Sequence, residues 1–192
     1  MRAARRGMVT KKENIALVGF MGSGKSTVGP LLASALGMDY VDLDEMITER
    51  TGMDIAEIFE LEGEEGFRER ESEALKEALA GGNRVVSCGG GVVLRDENLE
   101  LLRRRARVFY LRVSGETALQ RLGDGEGRPL LAEEDVAARV GELMAVRGGR
   151  YLVAAHEVVD GDRENPEEIA EEIAERWRKY RYGSGAGSTS ST

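Results

Sequence analysis

The stretch "GFMGSGKS", residues 19–26, follows the apolar run "NIALV" and precedes a helical pattern from Lys25 to Leu36. Strand, glycine loop and helix in that order are the context in which G-x-x-x-x-G-K-[ST] holds phosphate. Gly22 and Gly24 let the backbone curl so that its N–H groups face an anion, and the helix opening at Lys25 turns its positive dipole end toward it. Lys25 brings a point charge for β- and γ-phosphate oxygens, and the Ser26 hydroxyl is suited to ligate Mg²⁺. Gly22, Ser23, Gly24, Lys25, Ser26 and Thr27 therefore form an expected nucleoside-triphosphate cradle. Such a loop also constrains the fold, because it sits at the carboxyl end of a parallel strand.

The remaining pattern agrees with that constraint. Short apolar runs at "DYVDLD", "RVVSC", "ARVFYLRV" and "AHEVVD" alternate with helical stretches at Glu64–Ala80, Gly115–Leu122 and Pro166–Tyr180. Strands separated by helices imply a parallel sheet with right-handed crossovers and helices on both faces, an α/β fold. The chain has 192 residues, of which 41% are hydrophobic, enough for one domain with a real core. Residues 1–13 and 183–192 are polar or Gly/Ser/Thr-rich and are expected to be flexible, leaving 14–182 as a single domain. The glycine-rich segment "GDGEGRPLLAEED" interrupts the rhythm, and a lid over about 122–135 is expected there.

Composition excludes several classes. A net charge of −8 argues against nucleic acid, which is bound by clustered positive charge. One cysteine cannot form an internal disulfide, and one histidine cannot build a Cys/His metal site. No run of 18 apolar residues or signal peptide is present, so a cytoplasmic protein without a membrane partner is expected. The absence of a guanine-reading N/T-K-x-D motif lowers the GTPase reading. The lack of a second large domain lowers that of a motor. A small kinase with a lid remains.

Candidate acceptor residues lie beyond the loop. Asp42 and Asp44 in "VDLDEM" are two apart at the end of a strand and would share a face, although two acids there can equally cap the next helix. Arg68 and Glu71 in "GFRERE" share a helical face, where a surface ion pair is the commoner arrangement. Arg128 in "GRPLL" and Arg147 in "MAVRGGRY" are read as arginines in loops or at helix ends. The run "SCGGG", residues 87–91, leads out of a strand and has no following Lys-Ser/Thr. It therefore reads as a bare backbone floor rather than a linker or second phosphate loop, and Cys88 as buried filling.

Taken in order, "GFMGSGKSTVG", "DLD", "TGMDIAEIFELEGEEGFRERE", "CGGG", "RPLL" and "MAVRGGRY" resemble the shikimate kinase family from about residue 14 to 178. The resemblance implies a three-layer α/β/α P-loop kinase fold with strand order 2-3-1-4-5 and a substrate-binding region at about 43–73. It implies phosphoryl transfer from MgATP to the 3-hydroxyl of shikimate; a monomer is expected, since no exposed apolar stripe stands out. Asp44 would hold the shikimate hydroxyls as base or orienting group, with Lys25 and Arg128 as the other catalytic groups. Asp42 would serve Mg²⁺ through water. Arg68 and Arg147 would clamp the substrate carboxylate, Glu71 would hold Arg68, and Gly89, Gly90 and Gly91 would line the pocket. Arg121, Arg163 and Pro166 would lie near adenine. The chain departs from the family pattern at Pro30, at Glu164 and in the wording of "MAVRGGRY".

Overall fold

The computed structural model describes residues 13–123, 130 and 135–183. The expected flexible ends lie largely outside these residues. So does most of the expected lid, including Arg128.

Five strands form one parallel sheet in the order β2-β3-β1-β4-β5: β1 Asn14–Val18, β2 Asp39–Asp42, β3 Arg84–Ser87, β4 Ala106–Arg112 and β5 Glu157–Asp160. Alternation along the strands divides the core in two. Ile15 and Leu17 join Phe109, Leu111 and Val159 on one face, under α1 (Lys25–Leu36) and α7 (Pro166–Gly183), through Val28, Leu32, Ile169, Ile173 and Trp177. Ala16 and Val18 join Val86, Val108 and Tyr110 on the other, against α3 (Ile55–Ala78), α4 (Asp96–Arg105), α5 (Gly115–Leu122) and α6 (Val136–Ala154). The resulting three-layer α/β/α arrangement is the expected one, with the expected strand order.

Three helical stretches exceed or escape the sequence expectation. The long helix begins at Ile55 rather than Glu64, started by a capping box in which Asp54 accepts from the Glu57 N–H and Glu57 from the Asp54 N–H, both at 2.8 Å. It bends at Gly63, whose φ of 71° lies in the left-handed region that a residue without Cβ reaches cheaply. Helix α4 was not anticipated, and α6 runs on from the acidic end of "GDGEGRPLLAEED", where a helix start is expected. Asp135 caps α6 by accepting from the Ala138 N–H at 2.9 Å. None of the helices among the described residues is long and apolar enough to cross a membrane.

Because every strand runs the same way, the connections at their carboxyl ends open on one edge of the sheet. The phosphate loop after β1, the start of α2 (Leu43–Thr51) after β2 and the glycine run after β3 thereby become neighbours.

Candidate active site

The phosphate loop has the backbone its glycines predict. Gly22 and Gly24 have φ of 77° and 90°, and Gly24 is the N-cap of α1. The Lys25 ammonium lies on the loop, donating to the carbonyls of Gly19 and Phe20, both at 2.9 Å, and to the Ser23 hydroxyl at 3.2 Å. Lys25, Ser26, Thr27, Asp42 and Asp44 line one cavity of about 290 Å³.

The two aspartates are not two strand neighbours, as their spacing suggested. β2 ends at Asp42, which caps α2, its Oδ1 accepting from the Asp44 N–H at 2.9 Å. Asp44 lies in the first turn of that helix. The capping alternative was therefore correct for Asp42, and a helix start brings both acids to the same cavity.

The glycine run forms the wall between that cavity and a second one. Gly89 and Gly90 line both, together with Met21 and Asp44. A methyl carbon built on Gly89 would lie 2.3 Å from Glu71 Oε1 and 3.2 Å from Asp44 Oδ1. At Gly90 the nearest atom would be Arg147 Nη1 at 3.5 Å, an ordinary contact. The tightest position of the run is thus Gly89. Tyr151, which sequence reasoning missed, holds the run from α6. Its hydroxyl donates to the Gly90 carbonyl at 2.6 Å and its ring stacks on Tyr110 at 5.0 Å. Tyr151 falls four residues after Arg147, so helical spacing was the available signal. Cys88 is buried as filling, and its thiol is pushed up by that burial.

The second cavity, about 330 Å³, has apolar walls from Met21, Ile55, Phe59, Phe67 and Leu130 and polar groups from Asp44, Arg68, Glu71 and Arg147. Phe59 and Phe67 meet at 4.8 Å across the Gly63 bend. Arg147 is not in a loop or at a helix end: it lies within α6 and is 2% exposed. Arg68 ion-pairs with Glu64 and donates to the Gly91 carbonyl at 3.5 Å. Its ion-pair partner is thus Glu64 rather than Glu71, because the i−4 carboxylate lies nearer the solvent and costs less to charge. Two buried polar atoms here lack a hydrogen-bond partner among the described residues, Glu71 Oε1 and Arg147 Nε.

Arg121 lies on the far side of the phosphate loop, with Arg163 next to it. The Arg121 guanidinium donates to the carbonyls of Gly22 (3.1 Å), Gly161 (2.9 Å) and Arg163 (3.1 Å), tying the loop to the segment before α7. Arg163 ion-pairs with Glu172, and Pro166 is the first residue of α7.

Burial and the nearby Asp44 push the Glu71 carboxyl up to about 8, against the opposing pull of Arg68, Arg147 and Arg95. The folded protein therefore binds this proton more tightly than the unfolded chain. Its contribution to stability is full below the ordinary glutamate value and is lost as pH rises toward 8. Glu71→Gln removes the titration, so the wild-type melting temperature should fall more steeply than the variant's between pH 5 and 8, at up to about 1.4 kcal/mol of stability per pH unit. Parallel melting curves for the two proteins across that range would show the assignment to be wrong.

Two cavities that meet at one aspartate and a bare glycine wall, one built on a phosphate loop and the other on arginines, define the class as a P-loop small-molecule phosphotransferase. The sequence model for "Shikimate kinase" matches residues 21–178. The shikimate kinase of Thioalkalivibrio sulfidiphilus is 45% identical over 170 residues, covering 88% of this chain and 90% of that protein. That of Symbiobacterium thermophilum is 46% identical over 166 residues, covering 85% and 95%. Among solved structures, shikimate kinase from Acinetobacter baumannii in complex with shikimate superposes with a TM-score of 0.85 at 35% identity, covering 93% of this chain and 97% of that one. A deoxyadenosine kinase from M. mycoides shares the fold alone, with a TM-score of 0.56 at 20% identity. The chain belongs to the shikimate kinase family.

Proposed function

We propose that this chain transfers the γ-phosphoryl group of ATP to the 3-hydroxyl of shikimate, giving shikimate 3-phosphate and ADP. The observation that carries this reading is the junction at Asp44. One carboxylate belongs both to the cavity of the phosphate loop and to the cavity of the arginines. A hydroxyl held by Asp44 is in reach of a phosphoryl group held by Lys25 and the loop N–H groups, which favours direct transfer.

The acceptor cavity suits a small, polyhydroxylated acid. The unpartnered Nε of Arg147 and the Arg68 guanidinium supply fork-shaped donors for a planar carboxylate. Asp44 accepts the ring hydroxyls, including the one that attacks, and orients it or takes its proton. Gly89, Gly90 and Gly91 keep the wall free of side chains so that the ring can lie against it. Glu71 lines the same cavity beside Asp44, with its carboxyl raised toward the protonated form.

The donor residues fit a hard divalent cation. Ser26 Oγ and the Asp42 carboxylate are oxygen ligands on the same cavity wall, the type Mg²⁺ prefers alongside water and phosphate oxygens. When bound, Mg²⁺ would neutralise charge on the transferring phosphates. Asp42 would reach it through water. Arg121, Arg163 and Pro166 border the adenine end in this reading. Arg128, outside the described residues, would bring a further positive charge to the phosphates.

An ADP-release assay with shikimate, gluconate, nucleoside monophosphates or no acceptor tests the proposal. Turnover is expected with shikimate alone. Release that ignores the acceptor, or that needs one of the other compounds, would overturn it.

A further inference from the structure

Tyr40 has no place in the reading above, yet it touches both sides of the metal end of the site. It is the second residue of β2, two before Asp42, so their side chains leave the strand on the same face. Its phenol donates to Asp42 Oδ2 at 3.0 Å while Asp42 Oδ1 accepts from the Asp44 N–H at 2.9 Å. With both oxygens engaged, the carboxylate plane is fixed. Lone pairs remain on each oxygen for an outside ligand.

The ring of Tyr40 is equally committed. It packs on Gly29 so closely that a Cβ there would lie 2.4 Å from Tyr40 Cε2 and 3.2 Å from Cζ. Gly29 is buried in α1, three residues after Ser26. The helix that carries Lys25 and Ser26 is thus joined to the strand that carries Asp42 through one aromatic ring and its hydroxyl. Packing alone would be served by phenylalanine. The hydroxyl adds the bond to the carboxylate and one with Ser87, which lies opposite Asp42 on β3.

We propose that Tyr40 is a positioning residue for the divalent cation of the nucleotide: its ring sets the spacing of β2 from α1, and its hydroxyl orients the Asp42 carboxylate toward the Ser26 side. Partners behind a metal-side carboxylate act by fixing its direction, so their loss weakens the metal without touching the nucleotide. The inference rests on the assignment of Asp42 to the metal made above.

The test compares wild type, Tyr40→Phe, Asp42→Asn and the double variant. ADP affinity is measured by titration calorimetry in EDTA and in Mg²⁺, and the ratio of the two reports the metal contribution. Tyr40→Phe keeps the ring, so its melting temperature and its metal-free ADP affinity should match wild type. The metal enhancement of ADP binding should fall by about five- to tenfold, with the Mg²⁺ concentration for half-maximal turnover rising by a similar factor. Adding Tyr40→Phe to Asp42→Asn should change the metal enhancement little further, because Asp42 is the metal-side group that the hydroxyl bonds and Ser87 is assigned no metal role. Full metal enhancement in Tyr40→Phe, or additive losses in the double variant, would overturn the role of Tyr40 while leaving that of Asp42 in place. An unchanged enhancement in Asp42→Asn would remove both assignments together.

Discussion

Asp44→Asn is expected to lower kcat by about a thousandfold, the middle of the range for loss of a group that handles a proton in the transition state. The substitution keeps the size of the side chain and leaves the Asp44 N–H to be capped by Asp42, so α2 should start as before. ADP affinity should be unchanged, because the phosphate loop and Lys25 are untouched. A second effect follows from the shared electrostatics. Asp44 is one of the groups that push the Glu71 carboxyl up, so Glu71 in the variant should titrate lower than about 8. That shift can be read from the pH dependence of melting without any turnover. Near-normal kcat in Asp44→Asn would end its assignment as base or orienting group, and loss of ADP binding would mean that α2 had moved.

Arg147→Met should raise the KM for shikimate by about a hundredfold, the loss expected when a charged hydrogen-bonding partner is truncated at a buried contact. Methionine fills most of the volume, which avoids the cavity that alanine would open in α6. The KM for ATP should stay within about twofold, since Arg147 lines the acceptor cavity and not that of the phosphate loop. Arg147→Lys should recover little, because an ammonium cannot reproduce two parallel guanidinium bonds to a carboxylate. The effect on the protein itself is a further discriminator. Removing a positive neighbour drives the Glu71 carboxyl further up, so the steep part of the melting profile should extend to higher pH. Equal changes in the two KM values would place Arg147 in the fold rather than at the acceptor.

The parts of the site readable from residues alone are those built from short, contiguous chemistry. The phosphate loop is one, because eight residues carry the turn, the N–H cradle and the cation together. The glycine run is another, since three residues without Cβ after a strand have few other uses. Asp42 and Asp44 were found by spacing, but only Asp42 lies on the strand, and Asp44 belongs to the helix that follows. The acidic Asp-x-x-Glu start from Asp42 to Glu45 is the helix signal behind the capping alternative, which the structure bears out for Asp42. Arg147 was found by its motif and misplaced for a different reason. Helix α6 contains Gly141, Gly148 and Gly149, which depress helix propensity, and it persists because Val140, Leu143, Tyr151 and Ala154 bury one face.

Local residue order was sufficient for the phosphate loop, for the alternation of strands with helices and for the arginines, Asp44 and Glu71 around the acceptor, but not for Glu64, which lines the same cavity. Those features depend on neighbours a few positions apart, and a linear pattern records them. Which carboxylate answers which guanidinium was not recorded there. Arg68 meets Glu64 one helical turn back rather than Glu71, which is buried, and Glu71 is held near Asp44 and Arg147 because α2, α3 and α6 converge over the end of β3. Tyr40 reaches Asp42 and Gly29 at once only because β2 lies beside α1. Burial and distance are properties of that convergence, and they turn ordinary charged residues into a donor cavity and an acceptor cavity with one aspartate between them.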